Sequence, residues 1–157
     1  MKTITFTLLF IGIFFMVQGQ ITFQKRYALG NTFDFLTSVV QNADRSYTMA
    51  GYDVNLAAYG IDIVKVDSTG TVQWAKVYHS GSFFFPYSDF YQLGKLIKTS
   101  DGGYVACGTR KTDFLIMKLN ANGNLTWAKN YNNGGTSHFL NSIKETSDGG
   151  YIAVGYI

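Results

Sequence analysis

The sequence predicts an all-β fold built from a repeated four-stranded unit, on the strength of three observations. The segment 99–104, Thr-Ser-Asp-Gly-Gly-Tyr, returns unchanged at 146–151. The pattern Trp-Ala-Lys-x-Tyr occurs at 74–78 and again at 127–131. Val, Ile, Tyr, Phe, Trp and Thr, which favour strands, fill the stretches between Gly- and Asn-rich turns. Because such self-similarity is typical of repeat architectures, we expect an array of β-units.

The repeat has three copies with constant framework spacing. Equivalent turns are marked by Asp44, Asp101 and Asp148, and in each copy a Gly follows the turn Tyr by four positions. The last two turn aspartates are 47 residues apart and the first two are 57 apart. Insertions of four residues after Gly51 and six after Tyr78 account for this difference. Length variation is therefore expected in two connections and not in the strands.

Each unit is predicted to form four short antiparallel strands, named a to d. In the third copy strand a covers 142–146 and strand b covers 151–154, joined by a turn in which Gly supplies positive φ. In the second copy strand c covers 113–119 and strand d covers 125–131. Residues 114–117 are all apolar, so we expect a sheet that is covered on both faces. No amphipathic helix of useful length is predicted after the N-terminal segment.

Stacked four-stranded sheets of this kind predict a β-propeller-like array. Eleven strands are predicted when a strand d at 21–27 is counted before the first copy. A closed propeller has about 4–8 four-stranded blades, so the expectation is an incomplete array of about two and a half blades. We favour an N-terminal fragment of a longer protein, in which 21–27 closes the last blade. An open array and a ring completed by several chains are the alternatives. The units are roughly 20–73, 74–126 and 127–157.

Two blocks carry a resemblance to a known class of repeats. Residues 146–155 read Thr-Ser-Asp-Gly-Gly-Tyr-Ile-x-x-Gly, and 113–131 read Asp-x-x-x-x-Lys-Leu-Asn-x-x-Gly-x-x-x-Trp-x-Lys-x-Tyr, with 62–78 as an earlier copy. These blocks resemble the propeller-type repeats of secreted proteins from Bacteroidetes and related bacteria. The resemblance implies a propeller fold and names no ligand. Members often continue into a C-terminal sorting module for surface export, and no such module follows the third copy here.

The N-terminal segment 1–19 has the pattern of a Sec-type signal peptide. Lys2 is followed by an apolar stretch at 8–17, and Val17 and Gly19 occupy the −3 and −1 positions of a cleavage site. A membrane helix is the alternative, but a span needs about 20 residues and the apolar run 4–17 is shorter. We therefore expect a repeat domain over 20–157, secreted or at the cell surface, with no membrane span after cleavage.

Composition excludes some partners and chemistries. A net charge of +3 without clustered Lys or Arg disfavours a nucleic-acid surface. The lysines recur in register, as at Lys65 and Lys118, and are predicted to be exposed or to guard strand edges. Cys107 is the single cysteine, so it cannot form an intrachain disulfide, and it is expected in the core.

The sequence contains no recognisable catalytic or metal-binding pattern. His79 and His138 are the two histidines; neither has metal-ligand spacing, and both are expected in exposed loops. No nucleophile motif is present, and the single Glu145 leaves no pair of glutamates for glycoside hydrolysis. We therefore expect no catalytic residue, no bound metal and no cofactor, and a chain that is not an enzyme.

The most unusual segment is the aromatic-rich connection that follows strand d of the first complete unit. Loops commonly carry function, and aromatic rings are good anchors for sugars or protein partners. Packing of these rings against the chain itself is the favoured alternative, because a dense apolar cluster is costly in water. If a ligand site exists, the candidate residues are Phe84, Phe85, Tyr87, Asp89 and Tyr91.

The leading functional hypothesis is a non-enzymatic secreted or cell-surface repeat module. It would bind a protein or glycan partner through its loops, or act as a spacer in a larger exported protein. The alternative is a non-catalytic accessory propeller of an extracellular hydrolase whose catalytic part lies elsewhere.

Overall fold

The computed structural model describes residues 25–27, 34–54, 59–79, 91–132 and 138–157, and the statements below concern these residues. All regular structure in this part of the chain is β-strand, and it contains no helix, as the sequence predicts. Ten strands form three antiparallel sheets of four, four and two strands, none of which closes into a barrel. The architecture is therefore a blade-like β array, in agreement with the predicted fold class.

The three sheets follow one another along the chain, and neighbouring strands in each sheet are consecutive in sequence. Sheet 1 contains β1 (Asp34–Gln41), β2 (Tyr47–Val54), β3 (Tyr59–Val66) and β4 (Val72–His79). Sheet 2 contains β5 (Tyr91–Lys98), β6 (Tyr104–Arg110), β7 (Asp113–Leu119) and β8 (Leu125–Tyr131). Sheet 3 contains β9 (Phe139–Glu145) and β10 (Tyr151–Tyr156). The predicted strands c and d of the second copy coincide with β7 and β8.

The connections expected to vary in length lie largely outside the described residues. Residues 55–58 separate β2 from β3, and 80–90 separate β4 from β5; neither range is described. Of the strand expected at 21–27, only 25–27 are described, and these three residues belong to no strand.

Five hairpin turns share one hydrogen-bond pattern, which explains the recurring Asp-Gly-Gly and Asn-x-x-Gly sequences. The amide of the fourth turn residue donates to the first carbonyl, and the amide of the first donates to the fifth carbonyl. This is a type I turn followed by a residue with positive φ, a common short hairpin. In these five turns the fourth residue has positive φ; these residues are Arg45, Gly70, Gly102, Gly123 and Gly149.

A β-bulge recurs in the first strand of every sheet, at Thr37, Gly94 and Asn141. The bulge brings the two backbones so close that the facing residue of the second strand must be glycine. These facing residues are Gly51, Gly108 and Gly155. A Cβ built on Gly108 would lie 2.1 Å from the Gln92 carbonyl oxygen, far inside van der Waals contact. This explains the glycine four residues after each turn tyrosine.

Sheets 1 and 2 stack face to face around the larger of two cores. Sheet 1 contributes Ala50, Ile61 and Ile63, and sheet 2 contributes Leu93, Leu96, Tyr104, Ala106, Leu115, Met117 and Leu119. The exposed fraction of each of these side chains is at most 4%. The apolar side chains are therefore buried between neighbouring sheets and not within one sheet, as expected for stacked repeats.

Sheet 3 covers the opposite face of sheet 2 through a second core formed by Val105, Cys107, Leu140 and Ile143. Strand β7 thus has apolar side chains on both faces: Leu115 and Met117 pack toward sheet 1, and Phe114 and Ile116 toward sheet 3. The predictions that strand c is covered on both faces and that Cys107 lies in the core are confirmed.

Equivalent repeat positions make equivalent contacts at both interfaces. The Trp74 ring lies 6.4 Å from the Tyr104 ring of the next sheet, and Trp127 lies 6.1 Å from Tyr151. The repeat sequence therefore specifies how one sheet stacks on the next, as well as the strands themselves.

Candidate functional site

The aromatic connection singled out from the sequence lies outside the described residues. Phe84, Phe85, Tyr87 and Asp89 fall in 80–90, and only the backbone of Tyr91 is described, as the first residue of β5 opposite Arg110. The structure therefore leaves that candidate site a prediction.

A set of hydrogen bonds joins a strand c lysine to the a–b turn of its own sheet. The Lys118 ammonium donates to both carboxylate oxygens of Asp101, at 2.9 Å and 2.7 Å, and to the Thr99 hydroxyl at 3.1 Å. The Thr99 hydroxyl and the Gly103 amide also donate to Asp101. These hydrogen bonds, above all the one from Lys118, hold the pKa of Asp101 far below its usual range.

Sheet 1 repeats this arrangement in a more open form. The Lys65 ammonium lies 3.3 Å from the Asp44 carboxylate. Hydrogen bonds from the side chain and amide of Ser46, followed by Lys65, lower the pKa of Asp44 to about 2. The expectation that the in-register lysines are exposed or guard strand edges is wrong for Lys118, which is 7% exposed and lies in β7, a strand paired on both sides. A lysine can be buried there because the turn supplies a carboxylate and a hydroxyl, and sequence spacing alone does not show that they converge.

A cleft of about 250 Å³ opens between the turns of sheets 1 and 2, lined in part by Asn42, Asp44, Lys65, Lys98 and Tyr104. Its polar groups are largely engaged with each other. Asp44 pairs with Lys65, and the Tyr104 hydroxyl donates to the Asn42 side-chain oxygen at 2.9 Å. The cleft is therefore best understood as part of the contact between the two sheets.

The histidines differ from their predicted exposed-loop positions. His138 is 1% exposed; its ring packs edge-on against Phe114 and its Nδ1 contacts the Thr112 carbonyl oxygen. The Thr109 hydroxyl donates to the His138 carbonyl oxygen at 2.6 Å. The prediction was wrong for His138 because the junction between sheets 2 and 3 encloses it. His79 is the last residue of β4, in a strand and not in a loop.

The described residues contain no group of three or more His, Cys, Asp or Glu side chains placed to hold a metal ion. A helix long and apolar enough to cross a membrane is likewise absent from the described part of the chain.

Both ends of the array depart from the repeat pattern of burial. In sheet 1, Leu36 and Val39 are 38% and 59% exposed although the equivalent Leu93 and Leu96 of sheet 2 are buried. The departure in sheet 3 is an open apolar face. We define it by Ile152, Val154 and Tyr156 of β10, whose exposed fractions are 59%, 61% and 55%. The equivalent residues of sheet 2 are Val105, Cys107 and Thr109, none more than 1% exposed. In sheet 1, Thr48 and Ala50 are fully buried. Positions that elsewhere support a neighbouring sheet are thus exposed in sheet 3.

The outer edge of β10 also lacks a neighbouring strand in the described part of the chain. Strands β2 and β6 are each paired on both sides, whereas β10 pairs only with β9 among the described strands. The a–b turn beside it retains the arrangement found in sheet 2: the Thr146 hydroxyl and the Gly150 amide both donate to Asp148. These two bonds lower the pKa of Asp148, the one from Thr146 most, and no described lysine contributes.

Together, the open face and the β10 edge can bind a polypeptide. Aliphatic and aromatic side chains provide surface that gains from leaving water, and the strand edge provides backbone donors and acceptors. None of these residues is among the candidates named from the sequence, because they match the buried positions of the other copies.

This arrangement of stacked, hairpin-built sheets places the chain in the class of all-β repeat arrays. The chain matches no protein-family model, and a search of curated proteins finds no significant match.

Proposed function

We propose that the chain is a non-enzymatic interaction module, secreted or held at the cell surface, that binds a protein partner through the open face of sheet 3. The observation that supports this function is the exposure of Ile152, Val154 and Tyr156 at positions buried in the preceding sheets. A contiguous exposed apolar surface on a folded protein commonly marks an interaction site.

A protein partner fits this surface better than a glycan. The exposed side chains of Ile152 and Val154 are aliphatic, and the adjacent β10 edge presents backbone groups. Sugar recognition typically combines aromatic rings with polar side chains, which this chain offers in the connection at 83–91. Glycan binding there is a separate hypothesis, tested by replacing 83–91 with Gly and Ser and measuring binding to a glycan array.

The non-enzymatic role is supported by how the described ionisable side chains are used. Asp101 and Lys118 bind each other, and the Glu145 carboxylate accepts hydrogen bonds from the amide and hydroxyl of Ser100 at 2.8 Å and 2.9 Å. These groups stabilise turns and the contact between sheets 2 and 3.

Export is supported by the sequence of 1–19. Expression in a Gram-negative host should yield an exported product whose N-terminus is Gln20, and Leu9→Arg should keep the precursor inside the cell because the apolar segment is interrupted. An exported product that retains 1–19 would contradict signal cleavage.

The partner site is tested by position-specific photo-crosslinking on cells of the source organism. A photo-reactive phenylalanine analogue replaces Val154 in one variant and Val72, an exposed residue of β4, in a control. The function predicts a discrete covalent adduct from position 154 and none from position 72. Equal labelling from both positions, or none from either, would contradict it.

A further inference from the structure

Two equivalent positions at the interfaces between sheets carry opposite charges. Glu145 is the last residue of β9 and pairs with Tyr151 of β10. Lys98 is the last residue of β5 and pairs in the same way with Tyr104 of β6. The Glu145 carboxylate accepts hydrogen bonds from the amide and hydroxyl of Ser100, in the a–b turn of sheet 2. A carboxylate therefore joins sheet 3 to the a–b turn of the preceding sheet.

The interface between sheets 1 and 2 has a lysine where this carboxylate would lie. Ala43 occupies the position of Ser100 in the a–b turn of sheet 1, and the two turns share their backbone hydrogen bonds. No hydrogen bond joins the Ala43 amide or the Lys98 ammonium to another described residue. An amide donor and a cation thus lie where the next interface brings a donor to a carboxylate.

Both groups border the cleft between the turns of sheets 1 and 2, which Lys65 also lines. The Lys65 ammonium has three donors and contacts one described acceptor, an Asp44 carboxylate oxygen at 3.3 Å. The equivalent ammonium of Lys118 contacts four oxygen atoms. The contact between the two sheets therefore leaves donors of Lys65, Lys98 and Ala43 unused.

We propose that this cleft binds the carboxylate of a short aliphatic acid, either a free small molecule or a glutamate side chain, through the Lys65 and Lys98 ammonium groups and the Ala43 amide. The bound carboxylate has the same relation to Ala43 that Glu145 has to Ser100. The site lies between sheets 1 and 2, so it is separate from the open face of sheet 3 and does not depend on the proposed function.

Charge and size select this class of ligand. The two lysines outnumber Asp44, the one carboxylate among the lining residues, so the cleft favours an anion. Asp44 accepts hydrogen bonds from Ser46 and contacts Lys65, which leaves Lys98 without a counter-charge. The cleft volume of about 250 Å³ lies below the range of about 300–1,000 Å³ typical of pockets for drug-sized ligands, so the ligand is small.

A carboxylate matches the arrangement of the donors. Its two oxygens can accept from an amide and an ammonium at once, as the oxygens of Glu145 accept from the amide and hydroxyl of Ser100. Hydrogen bonds between an ammonium and a carboxylate are stronger than those between neutral groups. Lys98 therefore contributes most to affinity, and the Ala43 amide orients the ligand.

The test follows two backbone amides by heteronuclear NMR in the purified full chain while glutarate is added at pH 7. The Ala43 amide should shift saturably to lower field, because it gains a hydrogen bond to a carboxylate. The Ser100 amide is the internal control, since it already donates to Glu145 and should not move. A second titration uses the blocked peptide acetyl-Gly-Glu-Gly-amide. Tighter binding of the peptide identifies a protein side chain as the source of the carboxylate, and tighter binding of glutarate identifies a free acid.

Variants at Lys98 test the comparison between the interfaces directly. Lys98→Glu supplies a carboxylate from the chain itself, so the Ala43 amide should shift without ligand, and the affinity for glutarate should fall at least about tenfold. Lys98→Met removes only the cation and should weaken binding about fivefold. Lys144→Glu changes the net charge equally at an exposed position of β9 and should bind glutarate like the wild type. Circular dichroism and the urea midpoint establish that the variants fold.

The proposal is overturned if the Ala43 amide shows no saturable shift in the wild type, or if Lys98→Glu binds glutarate undiminished. Equal losses of affinity in Lys98→Glu and Lys144→Glu would also overturn it, because they would reflect net charge alone. Equal binding of inorganic phosphate would reject a carboxylate site in favour of a general anion site. Failure of photo-crosslinking at position 154 would reject the proposed function and leave this site standing.

Discussion

The hydroxyl of Tyr27 donates a hydrogen bond to the carbonyl oxygen of Gly70, with the two atoms 2.9 Å apart. One repeat later Tyr78 makes the same bond to Gly123. Both glycines have positive φ at the fourth position of a c–d turn, which sets the direction of their carbonyl groups. Tyr27 therefore makes the same contact with sheet 1 that Tyr78 of β4 makes with sheet 2, although residues 25–27 form no strand.

The first prediction concerns a closed cycle of three side chains between sheets 1 and 2. The Tyr104 hydroxyl donates to Asn42, the Asn42 amide donates to Thr48 at 2.9 Å, and the Thr48 hydroxyl donates to Tyr104 at 3.0 Å. All three residues are buried. Tyr104→Phe should lower the free energy of unfolding by about 1–3 kcal/mol, because buried groups lose a partner. Urea denaturation measures the change.

The matched control is Tyr151→Phe in sheet 3. Thr99 and Val105 occupy the positions of Asn42 and Thr48 in the preceding sheet, so the same cycle cannot form. This change should alter the free energy of unfolding by less than about 0.5 kcal/mol, as for most substitutions outside such networks. Equal losses of unfolding free energy in the two variants would show that the hydrogen-bond cycle adds nothing to what a tyrosine hydroxyl outside such a cycle contributes.

The second prediction separates two reasons why a position in this fold requires glycine. Gly102 has a φ of 81°, and a Cβ built on it meets no atom within 4 Å. Gly102→Ala should therefore lower the free energy of unfolding by only about 1–2 kcal/mol, the strain of positive φ in a residue with a Cβ. At Gly108 a Cβ would lie 2.1 Å from a carbonyl oxygen of β5, so Gly108→Ala should cost about 3 kcal/mol or more. Urea midpoints rank the two variants, and the reverse order would contradict the bulge geometry.

Arg45 provides the complementary test of the turns. It occupies the position of Gly102 with a φ of 64°, a conformation that disfavours residues with a Cβ. Arg45→Gly should therefore raise the free energy of unfolding by up to about 1 kcal/mol, because local strain is relieved. A lower free energy of unfolding would show that the added freedom of the unfolded chain outweighs the strain.

The third prediction concerns acid stability. The pKa of Asp101 is lowered on folding, chiefly by Lys118, so the folded chain binds fewer protons than the unfolded chain. This contribution to stability is complete above the unfolded pKa of about 4 and is lost as the pH falls toward the folded pKa. Lys118→Met should lower stability at pH 7 and make its loss between pH 7 and pH 3 shallower.

The control for this experiment is Lys76→Met. The Lys76 ammonium contacts the Asn124 side-chain oxygen and the Trp74 ring, neither of which titrates in this range. The pH dependence of its urea midpoint should match that of the wild type. Identical slopes in Lys118→Met and the wild type would remove Lys118 as the cause of the Asp101 shift.

The fourth prediction concerns the Cys107 thiol. Burial between sheets 2 and 3 raises its pKa to about 11, so little thiolate exists at pH 8. Ellman's reagent should react slowly with the folded chain and rapidly once urea has unfolded it. A rapid reaction in the native state would show that sheet 3 opens readily from sheet 2.

Some features of the fold could be predicted from the sequence and others could not, and the type of residue involved explains the difference. The strands β7 and β8, the turn glycines and the buried Cys107 were predicted because they depend on local turn chemistry and on apolar pattern. Lys118 was predicted to be exposed or to guard a strand edge, and His138 to lie in an exposed loop, but both are buried. A charged or polar residue is buried only when distant partners meet it, and a linear pattern does not show those partners. The candidate loop 83–91 stays a prediction.

The sequence alone determined the repeat, the all-β class, the hairpin turns and the coverage of strand c on both faces, since these depend on residues close together in the chain. Only the tertiary structure revealed that Ile152 and Val154 are exposed where Val105 and Cys107 are buried. Burial depends on whether another sheet lies against a residue, and identical repeat positions differ in this respect. The candidate binding surface is therefore a property of the stacked sheets and not of any single motif.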